Sequence, residues 1–155
     1  MNENKFMRMA IELSKESVAR GGGPFGAVIV RNGEVVATGS NSVTLLNDPT
    51  AHAEVCAIRA ACSKLGTFDL SGCIIYTSCE PCPMCLGAIY WARLDKIYYG
   101  NNREDAAKIG FDDDFIYKEI ELKPEMRSLP SEILMQEKAM EAFKMWAEKE
   151  DKAEY

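Results

Sequence analysis

The only histidine of the chain, His52, opens the run His52-Ala53-Glu54 about thirty residues before Pro81-Cys82-Pro83-Met84-Cys85. One neutral imidazole and two thiolates make three ligands for a zinc ion and leave the fourth tetrahedral position to water, as a hydrolytic site requires. A fold that uses them must bring two distant segments to one point. Glu54 is then free to move protons.

The surrounding pattern says how that could happen. Phe6, Met7, Met9, Ala10, Leu13 and Val18 recur at helical spacing within residues 4 to 20, and Gly21-Gly22-Gly23-Pro24 closes the segment. Ala27-Val28-Ile29-Val30 and Glu34-Val35-Val36-Ala37 flank Asn32-Gly33, a strong hairpin signal. Residues 40 to 50 read as a loop, followed by a helix from about Ala51 to Leu65 with His52 and Glu54 in its first turn. Cys73 to Thr77 reads as a buried strand, Cys82 to Ala92 as a helix entered through prolines, and Lys96 to Gly100 as another strand. A last helical pattern covers residues 131 to 150, with Leu134, Ala139, Phe143 and Trp146 expected inward. Strands alternating with helices after a hairpin imply an α/β fold, a mixed sheet with helices on both faces.

Both ligand segments thus fall at helix starts, where unpaired amides favour thiolate over thiol. Cys82 and Cys85, three apart at a helix start, share a face and can reach one ion. Two residues beyond His52, Glu54 would point about 200° round a regular helix, away from direct ligation but within reach of a bound water.

Other readings of these residues are open. The cysteine pair could be a redox motif, but that chemistry has no need of His-x-Glu. It could belong to a closed structural zinc clip, with Cys79 or Cys56 as the fourth ligand and no chemistry at all. Against the clip, Pro81 should turn the chain between Cys79 and Cys82, and the helix should carry Cys56 away from its own N-terminus. Cys62 and Cys73 read as small buried hydrophobes.

Composition narrows the function classes. With 155 residues and 47% hydrophobic content, one domain with one core is expected. No apolar stretch is long enough for a bilayer, and the first residues lack the build of a signal peptide, so a soluble, cytoplasmic protein with no membrane partner is expected. Six cysteines without an export signal point to thiols or metal ligands rather than disulfides. A net charge of −6 favours small substrates over nucleic acid, whose phosphates need clustered Lys and Arg.

The runs Asn47-Asp48-Pro49-Thr50-Ala51-His52-Ala53-Glu54 and Thr77 to Arg93, with Pro81-Cys82-Pro83-Met84-Cys85 inside the second, resemble the cytidine deaminase superfamily. The His-x-Glu and Pro-Cys-x-x-Cys blocks are that superfamily's known signature, so matching them is recognition. Within it the chain resembles the small bacterial guanine deaminases, through Gly23-Pro24-Phe25-Gly26-Ala27-Val28-Ile29-Val30, the segment Gly110 to Ile120 containing Asp112-Asp113-Asp114, and the terminal Tyr155.

The resemblance implies a three-layer α/β/α fold and one Zn2+ per subunit on His52, Cys82 and Cys85. It implies a homodimer that exchanges its C-terminal segment, about residues 123 to 155. It also implies hydrolytic deamination of guanine to xanthine and ammonia, with Glu54 and Asp113 as the catalytic acids and bases. Asn41 would hydrogen-bond the purine, Ala53 would be among the residues that bind it, Phe25 and Trp91 would shape or stack on its faces, Asp113 would meet its N1/amino edge, and Tyr155 would cover the site. The ordinary readings are core for Phe25 and Trp91, a turn for Asn41 and a solvated acidic run for Asp113. Guanosine deamination and tRNA adenosine deamination are the enzymatic alternatives, although the acidic end Glu148 to Tyr155 lacks an evident RNA-binding helix.

Overall fold

A computed structural model describes residues 3–155. The chain divides into two compact units, the first ending at Asp114 and the second running from Phe115 to Tyr155.

The first unit opens with α1 (Glu3–Ala19), then the hairpin β1 (Gly26–Arg31) and β2 (Glu34–Ser40). Asn32 and Gly33 both take positive φ, 52° and 77°, as a tight two-residue hairpin turn requires. Next come α2 (Val43–Leu46), α3 (Ala53–Leu65), β3 (Cys73–Cys79), α4 (Pro83–Trp91), β4 (Lys96–Asn101) and α5 (Arg103–Lys108). The sheet order is β2-β1-β3-β4, with β1 antiparallel to both neighbours and β3 parallel to β4. This is the expected mixed sheet.

The two central strands are apolar at successive positions because both of their faces are covered. On one side Val28, Val30 and Tyr76 pack with Phe6 and Ala10 of α1. On the other, Ala27, Ile29, Cys73 and Ile75 pack with Ala53, Ala57 and Ala61 of α3 and Ile89 of α4. Helices therefore lie on both faces, giving three α/β/α layers.

Small residues set how closely α3 approaches. Ala53, Ala57 and Ala61 recur every four residues and are fully buried, so one methyl-lined stripe of the helix faces the sheet. Opposite it, a Cβ on Gly39 would fall 2.2 Å from the Ala53 carbonyl oxygen and 2.6 Å from the Ala57 nitrogen. Only a glycine in β2 lets the start of α3 sit there.

Three expectations change. The loop of residues 40 to 50 contains the short helix α2. His52 is the N-cap of α3 rather than a member of its first turn, so its extended backbone frees the side chain from the helical wheel. In the second unit, α6 (Asp114–Glu121), whose first residue closes the first unit, is followed by a single 3₁₀ turn (Pro124–Met126) and α7 (Gln136–Glu148). Leu134, Ala139, Phe143 and Trp146 were expected inward but are exposed, Leu134 to 84%. Periodicity identifies an apolar stripe and not what covers it, and a unit this short cannot enclose a core of its own.

Gly39→Ala is expected to lower stability by about 1–3 kcal/mol, because its methyl meets backbone and not a flexible side chain. A native urea midpoint would show that α3 can move outward at no cost.

Candidate functional site

The starts of α3 and α4 meet. His52, the N-cap of α3, has extended backbone (φ −69°, ψ 156°) and makes no side-chain capping bond. Cys82 is the N-cap of α4 in a similar conformation, and its Sγ accepts a hydrogen bond from the Cys85 amide at 3.5 Å. Pro83 begins the helix, where its missing N–H costs nothing. The imidazole Nδ1 of His52 stands 3.5 Å from Cys82 Sγ.

One ligand atom from each of His52, Cys82 and Cys85 lies within 4.8 Å of the others. Tetrahedral zinc with Zn–S and Zn–N bonds of about 2.0–2.3 Å places its ligands roughly 3.5 Å apart, so this donor set fits the ion with small closing movements. Neither Cys79 nor Cys56 joins the cluster, and among the described residues it has three members. Cys79 instead points its thiol at the Asn102 carbonyl, 3.9 Å away, and burial pushes it up to about 11. A thiol so hard to ionise is a poor fourth ligand.

The charge pattern follows from the geometry. A hydrogen bond from Cys85, with help from His52, holds the Cys82 thiol down to about 4 against its burial. The same hydrogen bond, then burial, pushes the Cys85 thiol up. The metal-free pair thus keeps one proton. His52 is raised chiefly by its hydrogen bond to Cys82.

Glu54 is 5% exposed and outside the ligand cluster. Its Oε1 accepts a hydrogen bond from Thr77 Oγ1 at 2.9 Å. Burial raises its pKa, while hydrogen bonds to its own amide, Thr77 and Cys85 act in the opposite sense. Raising a carboxyl above its usual range suits it to releasing a proton as well as taking one.

The other predicted residues differ in burial and in the contacts they make. Asn41 is buried, accepts a bond from the Val43 amide on its Oδ1, and bonds through its backbone N–H to the Phe25 carbonyl. The Phe25 ring meets Phe111 edge-on at 5.0 Å. Asp113 feels the charges of Cys82, Arg103 and Glu80, and burial raises its carboxyl. Ala53 is fully buried at the first position of α3. Trp91 ends α4 and is 67% exposed, and Tyr155, in the second unit, is 69% exposed.

Sequence reasoning missed two supports. Ser17, fully buried on α1, donates to the Gly23 carbonyl at 2.6 Å and lies 3.2 Å from that of Asn41, tying the glycine turn to Asn41. Thr77 was read only as strand. The signal for Thr77 was available, since it follows Cys73 and Ile75 at period two and is thus a hydroxyl on the side facing α3.

The profile of the cytidine and deoxycytidylate deaminase zinc-binding region matches residues 1–101. The chain is 53% identical over 156 residues to the guanine deaminase of Bacillus subtilis, covering 100% of both. It belongs to the guanine deaminase family within the cytidine and deoxycytidylate deaminases. The X-ray structure of the Bacillus subtilis guanine deaminase superposes with a TM-score of 0.96 at 52% identity, covering 100% of this chain and 99% of that one. A tRNA-specific adenosine deaminase from Aquifex aeolicus is 41% identical over 99 residues, 64% of this chain and 66% of that protein. The zinc-binding region of the family spans all three clustered ligands and Glu54.

Zinc uptake by metal-free protein is expected to release about one proton at pH 8, that of Cys85, and a second once pH falls below the raised His52 pKa. Protons compete with the ion for these ligands, so affinity should fall as pH falls, about tenfold per unit at first and then more steeply. Calorimetry in buffers of different ionisation enthalpy measures the count, and no proton release would contradict the shared-proton pair.

Proposed function

We propose that this protein is a zinc-dependent aminohydrolase that converts guanine and water to xanthine and ammonia. The observation that carries the reading is a three-donor metal cluster beside one buried carboxyl, in a chain alike over its whole length to a guanine deaminase. His52, Cys82 and Cys85 would hold one zinc ion per subunit. When bound, zinc acts as a Lewis acid and lowers the pKa of water from about 15.7 toward about 7.

Glu54 takes the proton of the attacking water and delivers it to a guanine ring nitrogen, which makes C2 electrophilic. The water oxygen bonds to C2. Glu54 next takes the remaining proton of the C2 hydroxyl and, with Asp113, delivers it to the exocyclic amine; C2=O forms as the C2–N bond breaks, and ammonia leaves. Asn41 has its Oδ1 engaged by Val43, which turns its NH2 to an acceptor on the purine. Ala53 supplies one of the amides that a helix start leaves without an intrahelical partner. Phe25 and Trp91 flank the ring, and Asp113 accepts from its N1/amino edge.

The active protein is a homodimer in which the segment from about residue 123 to 155 is exchanged and Tyr155 covers the partner's site. The exposed Leu129, Ile133 and Leu134 support this, since an apolar run of that kind calls for a covering surface. No helix among the described residues is long and apolar enough to cross a membrane, which is consistent with the cytoplasmic location we propose. The partial likeness to a tRNA-specific adenosine deaminase makes tRNA the second reading. The net charge of −6 weighs against it.

Zinc-loaded protein should form xanthine from guanine, followed by ultraviolet absorbance, with guanosine and tRNA in parallel. Conversion of tRNA alone would transfer the reading. Glu54→Gln should keep its zinc and lose at least about 10²-fold in turnover; native turnover would remove Glu54 from the mechanism.

A further inference from the structure

Among the described residues, Thr77 is the side chain of the sheet that donates a hydrogen bond to Glu54. Thr77 sits mid-strand in β3, 1% exposed, paired with Ala27 on one side and Tyr99 on the other. Both neighbouring strands fix its backbone, and a β-branched side chain has few rotamers open to it. Glu54 approaches from α3, whose start is fixed against Gly39. The 2.9 Å bond between them therefore joins two rigid elements.

A threonine hydroxyl has a single proton to donate, and here it goes to Oε1 of Glu54. That bond ties one carboxyl oxygen to the strand and restricts rotation of the carboxyl about its own axis.

We infer that Thr77 is a positioning residue that holds Glu54 by Oε1 and so fixes the orientation of the carboxyl with which Glu54 moves protons. This rests on the proposed role of Glu54 in deamination. A carboxyl that does not turn between steps keeps donor and acceptor aligned throughout the cycle, which is where orientation contributes to rate.

The test compares Thr77→Val, of nearly equal volume but no hydroxyl, with Thr77→Ser, which restores it. Thr77→Val should lose about 10–100-fold in kcat, with KM and zinc content within about twofold of native. Thr77→Ser should stay within about threefold. In the Glu54→Gln background Thr77→Val should remove nothing further, and in zinc-free protein the two changes should shift the urea midpoint non-additively. If Thr77→Val does not fold, Thr77→Ala gives the same comparison.

Native kcat in either hydroxyl-free variant overturns the inference, and so does a Thr77→Ser variant as impaired as Thr77→Val. Native turnover by Glu54→Gln would overturn the reading beneath it. An inactive Glu54→Gln with a fully active Thr77→Val overturns the positioning role alone.

Discussion

The seat of α3 against β2 governs everything at the site. A helix carrying a ligand as its N-cap and a proton carrier in its first turn can place both only if its axis is fixed to a fraction of an ångström. The stripe Ala53, Ala57 and Ala61 over Gly39 achieves this with backbone against backbone, where no side chain can adjust. From that contact follow the direction of His52 toward Cys82 and the reach of Glu54 to Thr77. Cores packed at crystal-like density transmit such placements rather than absorb them.

Around this contact the electrostatics are deliberately unbalanced. Two thiols and a carboxyl share a buried space, and the two helix N-termini supply only partial positive charge. The hydrogen bond between the two thiols raises Cys85 and lowers Cys82, and burial raises Glu54. A divalent cation held by the cluster would replace the thiol proton, while Glu54 lies outside that cluster. Structural and chemical roles are thereby divided among neighbours only a few residues apart.

Much of this was legible in the sequence, for identifiable reasons. Asn32-Gly33 gave the hairpin because its turn demands positive φ at both positions, and Pro83 gave the start of α4 because few other places accept it. The three ligands stood out because their chemistry is rare and their spacing restrictive. The exposed stripe of α7 was misread because its period is the same whether the covering surface belongs to its own chain or to another. Thr77 went unread because a hydrogen bond between a strand and a helix start leaves no local trace in either segment. The helix begins two residues later than expected, which makes His52 its N-cap and changes where the imidazole points.

The pairing of β1 with β3 sets Ala27 opposite Thr77, and Gly26 donates to the Ser78 hydroxyl across fifty-two positions of chain. Contacts at such separation form only after a long loop has closed, a step that limits the rate of folding. His52 and Cys82 lie at the starts of two helices that pack on one face of this sheet. The donor cluster thus has an apolar scaffold beneath it, unlike a zinc finger, in which the ion organises the chain. An ion arriving at a cluster already built stabilises the native state by mass action and leaves the choice of native state to the apolar layers.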